Sequence, residues 1–128
     1  MIKTENYRDF ILRSLKEIMS VDSPTGFSAA ISQKLLSLLS DMGYRGETTN
    51  KRLVKVFVPG AKRGLKRAVS AHTDTLGAMV RSVAADGRIR STRLGGPILP
   101  TFDGEYCRIY ADGGKVYMFF GGSYNCTP

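Results

Sequence analysis

The segment Ser70-Ala71-His72-Thr73-Asp74-Thr75-Leu76-Gly77 carries the densest chemistry in the chain, and His72 is its only histidine. A neutral imidazole can ligate a metal or carry a proton near neutral pH. Side chains two apart on an extended segment point to the same side, so His72 and Asp74 are expected to face one pocket. A carboxylate beside such a ring orients it and raises its basicity as a ligand. Gly77 allows close backbone approach. Alone, His-x-Asp is a weak motif, and a satisfied structural pair is its blander reading. The two cysteines, Cys107 and Cys126, lie 19 positions apart with no C-x-x-C spacing. Reduced thiols are expected from them, rather than a disulfide framework or a structural zinc knuckle. Neither adjoins a histidine in sequence, so nucleophilic thiol catalysis is a poor fit.

The elements around this segment have to position it. Ala68-Val69-Ser70-Ala71 reads as a short strand buried on both faces of a central sheet. That would put His72 at a carboxyl strand end, where open α/β sheets hold ligands. Upstream, Tyr7, Phe10, Ile11, Leu15, Ile18 and Met19 recur at helical spacing, which predicts a helix over about residues 5–20. Pro24 and Gly26 break it. Phe27, Ala30, Ile31, Leu35, Leu38, Leu39 and Met42 predict a second helix, stopped by Gly43. Both stripes read as core-facing. Leu53–Val58 reads as a strand ended by Pro59-Gly60.

Downstream the pattern becomes strand-only. Ala78–Val83 and Arg88–Arg93 flank Ala85-Asp86-Gly87, and Glu105–Tyr110 and Lys115–Phe120 flank Ala111-Asp112-Gly113-Gly114. Both are hairpin signals. The chain is therefore expected to be α/β in class, with residues 1–76 forming one part and 77–128 a β-rich second part.

Hydrophobic residues are 42% of the 128 and charged residues 23%, which excludes a disordered tail or a fibre. No apolar run approaches the roughly 18 residues that span a bilayer, and with no apolar stretch near residue 1 a secretory leader is not expected. A cytoplasmic location without membrane contact is expected. Nineteen Lys and Arg against 11 Asp and Glu give +8, a balance that suits acidic partners. Lys51-Arg52, Lys62-Arg63, Lys66-Arg67 and Arg88, Arg90 and Arg93 motivate a nucleic-acid reading. Solvated charge at turns and strand faces explains them more simply, and no strong RNA-binding or helix-turn-helix signature stands beside them.

SAHTDTLGAMV followed by RLGGPILPTFDGEYCRIY resembles the dinuclear-zinc metalloaminopeptidases that include glutamyl and leucyl aminopeptidases and the tetrahedral dodecameric peptidases. The Pro24-Thr25-Gly26 turn between two helices resembles the same family's N-terminal region. The resemblance covers roughly residues 5–117. It implies the N-terminal part of a zinc-exopeptidase α/β domain, followed by the start of an inserted β-barrel-like dimerisation domain. His72 matches a zinc-ligand histidine, and Asp74 the acidic residue that orients it. Gly95, Gly96 and Pro97 match a structural turn of the inserted domain. Thr73 and Thr75 stand where Met and Glu are usual, which puts local substrate contacts in doubt.

The resemblance further implies removal of N-terminal amino acids from peptides. Two zinc ions, or cobalt or manganese in their place, acidify a water and polarise the scissile carbonyl. A separate Glu moves the proton. A bridging carboxylate, further acidic ligands, a second histidine and that Glu lie after the inserted domain in the family, so this chain reads as an N-terminal fragment, inactive alone and at most a weak metal binder. Met118–Pro128 no longer resembles the family, consistent with a frameshift, an early stop, a cut, or a divergent terminus. A non-catalytic interaction module, self-associating through unpaired strand edges of the β-rich part, is the alternative. No substrate-binding residue is identified.

Overall fold

Tyr7, Phe10, Ile11, Leu15 and Ile18 recur at three- and four-residue intervals, and the chain coils there into α1 (Tyr7–Met19) in the computed structural model, which describes residues 7–61 and 64–120. The second stripe forms α2 (Ala29–Asp41). The Gly43 amide donates to Ser40 O (2.9 Å) and that of Tyr44 to Leu39 O (2.8 Å). These bonds satisfy carbonyls that a helix end otherwise leaves bare, with Gly43 at a left-handed φ of 81°. The stop predicted at Gly43 is therefore present.

The chain divides into two compact units, Met1–Thr75 and Leu76–Pro128. In the first, α2 is the hub, touching α1 and both strands of an antiparallel ladder. That ladder pairs β1 (Gly46–Thr48) with β2 (Val54–Val56), Gly46 opposite Val56. β2 is the middle of the predicted strand. β1 was invisible in the sequence, because Gly-Glu-Thr shows no apolar alternation. Ile31 is 2% exposed and Ser32 is also buried. Ser32 Oγ lies 2.8 Å from Ser28 O and 2.7 Å from Arg52 O. The second contact fastens the β1–β2 turn to the helix, where Arg52 holds a left-handed φ of 64°.

The two stripes are less buried than their pattern predicts. No α1 residue is buried, and Ile11, Leu15 and Met19 are exposed. Among the described residues α1 packs mainly against α2, so one helix face has to cover most of a broad stripe. Lys34 Nζ of α2 sits 2.7 Å from Glu17 Oε2 of α1. That hydrogen bond, and then the lysine's charge, holds the Glu17 carboxyl below its ordinary range.

The expectation of a buried strand at Ala68–Ala71 is corrected. Residues 65–74 have no regular structure, and Val69 is 98% exposed. Among the described residues no strand runs beside 68–71, so its backbone has no ladder to join.

The second unit holds two antiparallel hairpins at the predicted places. β3 (Gly77–Val83) pairs with β4 (Ile89–Leu94), with a bulge between Val80 and Ser82, and β5 (Tyr106–Tyr110) pairs with β6 (Val116–Phe120). Asp86 accepts from the Arg88 amide at 3.1 Å and from Arg88 Nε at 2.7 Å. The guanidinium holds the Asp86 carboxyl below its usual range. A short 3-10 turn, Leu99–Phe102, connects the hairpins. Among the described residues the strands make three separate two-stranded ladders and close no barrel. No helix among them is long and apolar enough to cross a membrane.

Ile31→Ala truncates a side chain only 2% exposed and is expected to destabilise the first unit by about 2–4 kcal/mol. Urea unfolding followed by circular dichroism checks this. Glu17→Gln is expected to lower thermal stability at neutral pH. Because the folded carboxyl is held low, its contribution is present above the unfolded value and lost as pH falls through the folded one. The wild-type and variant melting curves should converge in acid, and in high salt.

Candidate functional site

Leaving α1, the chain turns sharply at Pro24-Thr25-Gly26. The Phe27 amide donates to Pro24 O at 2.8 Å. Gly26, with φ 90°, takes the turn position that disfavours other residues. Ahead of this turn Ser23 is 1% exposed. A buried hydroxyl needs a partner, and Ser23 Oγ donates to Thr73 O at 2.6 Å. The Thr75 amide donates to Ser23 O at 3.1 Å, and the Ser23 amide faces Thr75 Oγ1 at 3.4 Å. Pro24 and Thr75 form a parallel bridge. Residues 23–25 are thus laid alongside 73–75.

The arm then alternates. Thr73 and Thr75 are half-buried against Ser23, while His72 and Asp74 face outward. His72 Nδ1 lies 3.0 Å from Asp74 Oδ1, so the two side chains share one side of the arm, but on its exposed surface and not enclosed in the expected pocket. Thr25 Oγ1 donates to the other oxygen, Asp74 Oδ2, at 3.2 Å. A carboxylate only accepts, so Nδ1 carries the proton in this contact. The lone pair of the neutral ring then sits on Nε2, for which no partner is present among the described residues. The imidazole is 85% exposed and Asp74 54%. Neither lies at the rim of a sheet; a loop-to-loop contact replaces the expected strand end.

Sequence reasoning missed Ser23 and Thr25 and took Thr73 and Thr75 as a substrate-side departure. In the structure the Thr73 carbonyl, and the amide and Oγ1 of Thr75, anchor the arm to Ser23. The hydroxyls of Ser23, Thr25 and Thr75 were the available signal, since hydroxyls near a turn often bind neighbouring backbone.

The chemistry of Nε2 fits one position of a borderline metal such as zinc, with the carboxylate behind the ring as such ligands require. Among the described residues no group of three or more His, Cys, Asp or Glu is placed to hold a metal ion. The fit is that of a single ligand with its support. Cys107 is half-buried on β5, and Cys126 lies outside the described residues. Of the basic positions, Lys62 and Arg63 also lie outside them. Arg88 is engaged by Asp86. Arg90 and Arg93, three apart on β4, fall on opposite faces.

Residues 54–124 match the profile of the M42 glutamyl aminopeptidase family. The chain belongs to that family. M42 proteins are metal-dependent peptidases. The match begins ahead of the His72 arm, spans both hairpins and runs to residue 124, so the expectation that the likeness stops before Met118 is corrected. YhfE of Bacillus subtilis (strain 168), which carries the name of an aminopeptidase, is 36% identical over 103 residues. The glutamyl aminopeptidase of Lactococcus lactis subsp. cremoris (strain MG1363) is 28% identical over 104. These alignments cover 80% and 79% of this chain but 30% and 29% of the relatives. The M42 chain thus spans about a third of their length.

Ser23→Ala is expected to remove the buried anchor and leave the Thr73 carbonyl unpaired, which costs about 1–2 kcal/mol. Hydrogen exchange at the Thr75 amide should accelerate, while the β5–β6 amides keep their rates.

Proposed function

We propose that this chain is the N-terminal portion of a dinuclear-metal aminopeptidase that releases N-terminal amino acids from peptides. His72 is the ligand it contributes, and Asp74 orients that ligand. The portion comprises the opening of a zinc-exopeptidase α/β domain and the start of an inserted dimerisation domain. The single observation that carries this reading is the Asp74 contact to Nδ1, which leaves Nε2 outward and unshared. Family membership supplies the reaction class.

A zinc pair, or cobalt or manganese, supplies Lewis acidity to the peptide carbonyl and acidifies the attacking water. The chain's own residues do the positioning. Asp74 fixes the tautomer and plane of the ring, and Ser23 and Thr75 hold the arm that carries both. No described residue offers the remaining ligands or a general base placed beside His72. The 128-residue chain is therefore expected not to turn over substrate, and to act in the cytoplasm only with what completes the site.

A second reading has its own observation. By register, Tyr106, Phe120, Met118, Tyr110 and Val116 share one face of the β5–β6 hairpin, and Phe119 and Tyr117 lie on the other. All seven are exposed, and two-stranded ladders leave both edges unpaired. The β-rich part is accordingly proposed to self-associate.

With added zinc, cobalt or manganese, the purified chain should show no chelator-sensitive hydrolysis of aminoacyl reporter substrates. Zinc should bind weakly, and His72→Ala should abolish that binding in a calorimetric titration. Chelator-sensitive turnover would overturn the inactivity, and unchanged zinc affinity in His72→Ala would overturn the ligand. In sedimentation, the wild type should associate with rising concentration, and Met118→Lys should weaken this. A monodisperse wild-type monomer over a wide range contradicts self-association.

A further inference from the structure

Asp74 is gripped from two sides, and only one grip belongs to the histidine. Its Oδ1 faces His72 Nδ1 at 3.0 Å and its Oδ2 accepts from Thr25 Oγ1 at 3.2 Å. A carboxylate held by one contact can swing about its Cβ–Cγ bond, which has broad torsional freedom. Held by two, it presents a fixed edge. Thr25 suits this task because little of it moves. Its β-branched side chain is stiff at χ1. Pro24 precedes it with a fixed φ, and the turn closes behind it through the 2.8 Å bond from Phe27 to Pro24. On its other side Ser23 is buried and bound to Thr73 and Thr75. The turn between α1 and α2 and the His72 arm are 49 residues apart in sequence at the Thr25–Asp74 bond, so this contact is a product of the fold.

We propose that Thr25 is a positioning residue, which through Asp74 locks His72 in the Nδ1–H tautomer and keeps the Nε2 lone pair outward. The consequence for metal binding rests on the reading of His72 as a ligand; the tautomer itself does not. Losing the Thr25 hydroxyl frees Oδ2, lets the carboxylate rotate, and releases the ring toward the Nε2–H form that unconstrained imidazoles favour. In that form Nε2 is blocked to a metal.

Because His72 is the only histidine, one imidazole appears in a long-range nitrogen–proton correlation spectrum, and it needs no assignment. In metal-free buffer alkaline enough to leave the ring neutral, the wild type should show a protonated Nδ1 and an unprotonated Nε2. Thr25→Val should move both nitrogens toward the opposite tautomer. Thr25→Ser, which keeps the donor, should retain the wild-type pattern, and Thr25→Ala should repeat the Val result. Circular dichroism confirms that each variant is folded. Zinc affinity of Thr25→Val should fall about three- to ten-fold, less than removal of a direct orienting partner causes. An unchanged tautomer in folded Thr25→Val or Thr25→Ala overturns the proposal, as does a wild type in the Nε2–H form. A tautomer that responds to Thr25 while zinc binding ignores His72→Ala supports the positioning role and sinks the ligand reading instead.

Discussion

A single buried hydroxyl organises the candidate site. Ser23 is shielded from water, so its Oγ must find an acceptor inside the protein, and the acceptor is the carbonyl of Thr73. Once that bond is made, the Thr75 amide reaches Ser23 O, and residues 23–25 and 73–75 run together in parallel. Alternation does the rest. With Thr73 and Thr75 turned inward, His72 and Asp74 have to turn outward and side by side. Thr25 follows Ser23 closely enough to meet the second oxygen of Asp74. The chemistry on the surface is thus set by a contact beneath it.

Much of the scaffold could be read from pattern because its signals are local. Helical spacing located α1 and α2, Gly43 marked the stop, and glycine-containing turns between apolar runs located both hairpins. β1 escaped because three residues are too few to show a period. Ala68–Ala71 misled because small apolar residues describe a buried strand only where neighbours cover them, and Val69 lies almost fully exposed. The pairing of His72 with Asp74 followed from a period of two and survived the loss of the strand, since a short extended arm needs only one anchored side to keep its alternation. The anchor was not legible: Ser23 and Thr73 are 50 residues apart, and nothing in either tripeptide names the other.

The second unit shows the opposite economy. Its hairpins carry good turn chemistry, as the Asp86–Arg88 contacts illustrate, yet Tyr106 and Phe120 meet edge to face at 5.2 Å while both remain exposed. Local signals are enough to form each ladder, but an apolar ladder face is stabilised fully only when something covers it. The exposed faces and unpaired edges of β5–β6 are the features on which the proposal of self-association rests.

The central claim is that His72 presents Nε2 to a metal while Asp74 keeps the proton on Nδ1. Titrating zinc into the nitrogen-labelled chain and following the lone imidazole tests it directly. The account predicts that the Nε2 resonance shifts on zinc addition while Nδ1 stays protonated. Zinc that leaves the ring unperturbed, or that displaces the proton from Nδ1, contradicts it.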